Sequence, residues 1–92
     1  MGNVIIVAYD ISNDKLRTRF SKFLEKYGVR VQFSVFEIQN STRVLNIVKQ
    51  AIERKFGKEF EPGDSIYIFT SKQENTIRYG SAKLLDKDLI II

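Results

Sequence analysis

The unbroken apolar run Val4-Ile5-Ile6-Val7-Ala8 constrains this chain more than any other stretch. A strand apolar at every position has both faces covered, so it belongs in the middle of a sheet. The run closes on Tyr9-Asp10 and a polar turn reaching Asp14. A carboxylate at a strand end is aimed by a rigid element, and the following loop leaves room for a ligand. Asp10 is therefore the candidate functional carboxylate. The competing role, capping the next turn, is the commoner one for a lone aspartate.

The rest of the chain can be read around that strand. Ser12 or Asn13 caps a helix running to about Tyr27, and Asp14 complements its positive end. Leu16, Phe20, Phe23, Leu24 and Tyr27 make one apolar stripe, and Lys15, Arg19, Lys22 and Lys26 make a basic stripe beside it. Gly28 is expected to end this helix in a left-handed cap. Residues 29–39 switch the parity of their apolar positions, which a strand cannot do without a bulge or turn. Two forms fit: a tight hairpin broken near Gln32–Ser34, or one strongly kinked strand. Asn40 or Ser41 caps a second helix over about 42–56, with Val44, Leu45, Val48, Ala51, Ile52 and Phe56 buried and Gly57 as its stop. Lys58–Gly63 reads as a loop, Ser65–Thr70 as a two-faced strand, Ser71–Asn75 as a turn and Thr76–Gly80 as a short strand. Leu89–Ile92 is strongly strand-forming.

The expected order is β-α-β-β-α-β plus an extra C-terminal strand. That is an α+β, ferredoxin-like arrangement in one domain spanning 1–92, with an antiparallel sheet and both helices on one face. The other sheet face and the apolar tail need a cover, and an exposed edge is an aggregation hazard. A second copy of the chain supplies both, so a homodimer is expected.

Composition narrows the chemistry. The chain has 92 residues, no histidine and no cysteine. Histidine-based general bases, thiolate nucleophiles and Cys/His zinc sites are thereby excluded. No apolar run approaches the roughly 20 residues of a membrane span, and the N-terminus lacks a secretory pattern, so a cytoplasmic protein without a membrane partner is expected. The net charge is +4. Residues 15–30 carry Lys15, Arg17, Arg19, Lys22, Lys26 and Arg30 against Glu25 alone. Such asymmetry fits a phosphate-bearing partner, and equally a solvated helix face.

A two-fold dimer brings together two copies of any residue near its axis. Two Asp10 carboxylates about 4 Å apart would repel by about 4 kcal/mol at an effective dielectric of about 20. Binding a divalent cation or sharing a proton relieves that. Mg2+ suits carboxylate oxygens and a site without histidine, and it can acidify water for attack on a phosphodiester. Ser34, Phe36 and Glu37 are further residues for the same cleft, though a core role for Phe36 and a surface ion pair for Glu37 are the simpler readings.

The segments YDIS at Tyr9–Ser12, Arg17 with Arg19, and KYGVRVQFSVFEI at Lys26–Ile38 together resemble the small CRISPR-associated endoribonuclease family, the lesser subunit of the CRISPR adaptation complex. The resemblance implies a ferredoxin-like homodimer whose C-terminal strand completes the partner's sheet. It implies Asp10 as catalytic residue and metal ligand, facing its mate across the axis with one magnesium ion between them. Tyr9, Arg17, Arg19, Arg30 and Phe36 become supporting, nucleic-acid-binding residues. It further implies a metal-dependent nuclease acting on single-stranded RNA or double-stranded DNA, and a larger integrase subunit as partner in spacer acquisition. A non-catalytic DNA-holding scaffold is the alternative from another class, and a toxin-like ribonuclease of similar fold is a rival. A plain RNA-binding module would need an aromatic RNP1 pattern that this chain lacks.

Overall fold

The computed structural model describes residues 3–77 and Tyr79. Strand β1 (Asn3–Asp10) leads into helix α1 (Asp14–Glu25), then the hairpin β2 (Gly28–Gln32) and β3 (Val35–Ile38), helix α2 (Thr42–Arg54) and strand β4 (Ser65–Lys72). Short 3-10 turns cover Phe56–Glu59 and Gln73–Asn75. The sheet order is β2-β3-β1-β4, with all pairings antiparallel. The most apolar strand is thus central, as its composition demands.

Alternation along β1 divides the molecule. Ile5, Val7 and Tyr9 face the helices and join Ile11, Leu16, Phe20, Leu24, Phe36, Ile38, Val44, Val48 and Phe56 in the hydrophobic core. Both helices therefore cover one face. The centre of the core is aromatic: the Phe20 ring meets Tyr9 edge-on at 5.2 Å and Phe56 at 5.1 Å, and Tyr9 stacks on Phe36 at 6.4 Å. Such pairs add about 0.5–1.5 kcal/mol each beyond the area they bury. On the opposite face, Val4 and Glu37 are buried, whereas Tyr67 and Phe69 remain 61% and 51% exposed. Those two rings stack at 5.8 Å.

The hairpin and both N-caps are among the forms expected, and other local expectations are corrected. The parity switch in 29–39 is a hairpin turning at Phe33–Ser34, with a register shift between Arg30 and Gln32. One extra residue in β2 rotates the strand so that Arg30 stands opposite Phe36. Helix α1 ends at Glu25 with Lys26 as a right-handed cap, so Gly28 is no helix stop. Gly28 is instead the first residue of β2, where a Cβ would sit 2.1 Å from the Glu37 carbonyl oxygen. Helix α2 ends at Arg54, and Gly57 lies inside the following 3-10 turn. Strand β4 runs to Lys72, beyond the expected Thr70, and Thr76 and Ile77 are not in a strand. The Leu89–Ile92 tail lies outside the described residues. Asn13 and Ser41 are the N-caps, accepting from the Leu16 and Val44 amides.

Candidate functional site

Four segments meet at the C-terminal end of β1. Asp10 pairs with Ser65, the first residue of β4. The Tyr9 amide donates to the Ser34 carbonyl at 3.0 Å, which brings the hairpin tip alongside. Helix α1 starts at Asp14, so its N-terminus borders the same end.

Because Tyr9 faces the core, Asp10 faces the other side, in the row of Ile6, Ala8, Tyr67 and Phe69. The Asp10 carboxylate is exposed and makes no hydrogen bond or ion pair with the described residues. It therefore caps no turn, the role most often filled by an aspartate at this position. Among the described residues no group of three His, Cys, Asp or Glu side chains comes together. One exposed carboxylate per chain fits a hard divalent ion only as half of a site.

Tyr9, Arg17, Arg30 and Phe36 cluster on the helix side. The Arg30 guanidinium lies 5.0 Å over the Phe36 ring, donates to the Phe33 carbonyl, and sits 3.9 Å from Glu25. Arg17 donates to the Ile11 carbonyl at 2.9 Å and pairs with Asp14. Burial pushes the Tyr9 phenol above its ordinary range, and the neighbouring Arg30 and Arg17 charges pull part of that back. The two arginines thus hold the carbonyls of the loops flanking Asp10. Phe36 is fully buried and serves as a platform beneath Arg30. Arg19 is separate from this cluster: two residues along a helix is about 200° of rotation. Its guanidinium makes a two-pronged pair with Glu59, at 2.5 and 3.2 Å, and these hydrogen bonds hold the Glu59 carboxyl below the usual range. Lys15, Lys22 and Lys26 of the basic stripe are exposed.

Asp64 carries no signal of its role in the sequence. Its Oδ1 accepts from the Ser12 amide and the Ser12 hydroxyl, each at 3.0 Å, and its Oδ2 accepts from the Glu61 amide at 2.9 Å. The backbone N–H donors of Glu61 and Ser12 hold this carboxyl below its ordinary range. Only the turn is legible, in Glu61-Pro62-Gly63-Asp64, whose Gly63 takes a φ of 95°. Nothing local, however, names a partner fifty-two residues away.

A ferredoxin-like α+β protein with an exposed carboxylate where its central strand leaves the sheet is the class that this fold and site define. Within it, the family described as CRISPR associated protein Cas2 matches residues 3–77, and the chain belongs to that family. A relative from Chloroflexus aurantiacus named CRISPR-associated endoribonuclease Cas2 3 is 37% identical over 79 residues, covering 82% of this chain and 81% of its own. The crystal structure of a hypothetical protein from Thermus thermophilus superposes with a TM-score of 0.69 at 29% identity, covering 91% of this chain and 98% of its own. A chain of a partial Cas6-RT-Cas1–Cas2 complex is 32% identical with a TM-score of 0.57, covering 80% and 82%. No helix among the described residues is long and apolar enough to cross a membrane.

Proposed function

We propose that this protein is a cytoplasmic, magnesium-dependent endonuclease or endoribonuclease that hydrolyses phosphodiesters as a homodimer and acts in CRISPR adaptation with a larger integrase subunit. The observation that carries the proposal is the exposed Asp10 carboxylate, without a hydrogen-bond or ion-pair partner among the described residues, in one row with the exposed Tyr67 and Phe69 rings. Pairing two copies through that row covers the aromatics and supplies the second Asp10. Magnesium held by the two carboxylates would polarise the scissile phosphate and acidify a water. The chain's own contribution is positional. Strand β1 fixes the Asp10 backbone, Arg17 and Arg30 fix the adjoining loops, and their charge at this end of the sheet favours an approaching polyanion. The relatives' names support the nuclease activity, and the likeness to a Cas1–Cas2 assembly supports the integrase partner. The test is cleavage of single-stranded RNA and double-stranded DNA by wild type and Asp10→Ala, with and without chelator. Loss of cleavage in the mutant and in chelator, with the dimer retained, is expected. Equal cutting by the mutant would remove Asp10 from the chemistry.

The exposed stripe of Lys15, Lys22 and Lys26 favours a second reading, a non-catalytic scaffold gripping duplex phosphates. Each phosphate contact then adds about 0.9 to the slope of log affinity against log salt. Reversing the stripe's charges weakens DNA binding on this reading, and Asp10→Ala leaves spacer acquisition intact.

A further inference from the structure

Every residue between the Asp10 side chain and the start of α1 is anchored. Asp10 is paired with Ser65 through the β1–β4 ladder. The Ile11 side chain is buried and its carbonyl accepts from Arg17. The Ser12 amide and hydroxyl donate to Asp64, and Asn13 caps the helix. Residues 10 and 12 are therefore tied to the consecutive residues 65 and 64. The anchor itself is stiff. The Asp64 amide donates back to the Glu61 carbonyl at 3.0 Å, closing a turn with Pro62 and Gly63 at its centre. A proline at the first central position and a glycine of positive φ at the second is the type II pattern. Glu61 adds a 3.3 Å contact to the Ser12 hydroxyl. An exit loop held this closely, next to an exposed carboxylate that no described residue engages, has the form of a preorganised ligand and its support.

We infer that Asp64 is a positioning residue: by clamping Ser12 it fixes the loop leaving β1 and with it the direction in which the Asp10 carboxylate is presented. This rests on the reading of Asp10 as metal ligand. An outer carboxylate that holds a ligand-bearing loop acts on metal affinity, where its removal typically costs about 10–100-fold. A clip serving the fold alone would change stability and leave affinity untouched.

The experiment compares wild type, Asp64→Ala, Asp64→Asn, Ser12→Ala and Asp10→Ala as full-length protein. Three quantities are read: Mn2+ affinity by paramagnetic relaxation, exchange protection of the Ser12 amide, and kcat and KM on single-stranded RNA with magnesium. Asp64→Ala is expected to lose Ser12 protection, to bind Mn2+ about tenfold or more weakly, and to lower kcat with KM within about twofold. Asp64→Asn keeps one acceptor for the Ser12 amide and should recover most of the affinity. Ser12→Ala, which keeps its amide, should lie between wild type and Asp64→Ala, and it serves if the latter fails to fold. Wild-type Mn2+ affinity in Asp64→Ala despite lost Ser12 protection would overturn the inference while leaving Asp10 as ligand. Wild-type affinity in Asp10→Ala would overturn the metal reading itself, and this inference with it.

Discussion

Tyr9 and Asp10 are neighbours in the chain and lie on opposite faces of the sheet: the Tyr9 ring is 6% exposed in the aromatic core, and Asp10 stands in the exposed row of Tyr67 and Phe69. One peptide unit therefore joins the core to the candidate site. Tyr9 holds the strand end in place, and the Asp10 side chain is exposed and engages none of the described residues.

That division separates stability from activity. Asp10→Ala should change unfolding free energy by no more than about 0.5 kcal/mol, as expected for an exposed side chain that engages none of the described residues. It should also abolish magnesium-dependent cleavage. Tyr9→Ala should cost about 3 kcal/mol, because it empties a site between Phe20 and Phe36. Urea denaturation of both variants, set beside their cleavage rates, checks the contrast. A strongly destabilised Asp10→Ala would mean that the carboxylate holds the fold.

Gly28 gives a second test, at the other end of the hairpin. An added Cβ would meet the Glu37 carbonyl oxygen at 2.1 Å and the Ile38 Cα at 2.6 Å. Both are backbone atoms, so no side chain can swing aside. Gly28→Ala should therefore cost about 2 kcal/mol or more. Weaker amide exchange protection across β2 and β3 would mark the hairpin as the place of damage. An unaffected melting temperature would show that the strands can part at no cost.

Gly28 also shows where sequence reasoning reaches its limit. A glycine after an amphipathic helix signals a left-handed cap, and the same residue serves equally well where two strands approach closely. Only the Glu37 backbone opposite decides between them. The element order was legible because Val4–Ala8 and both amphipathic stripes carry their own periodicity. Asp10 was legible because a strand-end carboxylate is a local pattern. Arg19 was misleading. It lies in the basic stripe by spacing, yet Glu59 lies forty residues away and claims its guanidinium. The Ser12–Asp64 clamp was invisible for the same reason, since a contact across two loops leaves no mark on either.

The Arg19–Glu59 pair has a definite pH dependence. The folded Glu59 carboxyl titrates below its ordinary value, chiefly because Arg19 donates to it. A lowered folded pKa means that the stabilisation is complete above the unfolded pKa, about 4.3, and is lost as pH falls through the folded one. Glu59→Gln should therefore be less stable than wild type at neutral pH and converge with it in acid. Both groups are exposed, so the difference should also shrink in high salt. Melting curves from pH 7 down to about 3, at low and high salt, test both dependences. A gap that persists in acid would point to lost packing and not to the charge.

The final prediction joins the aromatic row to the carboxylate. Tyr67 and Phe69 stack on each other and stay more than half exposed on the sheet face that carries Asp10. If a second protomer covers them, they are central anchors of that interface, each costing about 2 kcal/mol of association when truncated. The pair Tyr67→Ser and Phe69→Ser should then weaken dimerisation about a hundredfold or more and leave a folded monomer, since neither ring belongs to the core on the helix side. Metal affinity should fall with it, because one Asp10 is half of the donor set. Both losses should reverse together on raising the protein concentration, since re-forming the dimer restores the second carboxylate. Sedimentation and Mn2+ titration over the same concentration series check this coupling. A monomeric double variant that binds metal as tightly as wild type would place the whole site within one chain and remove the reason for pairing the two Asp10 residues.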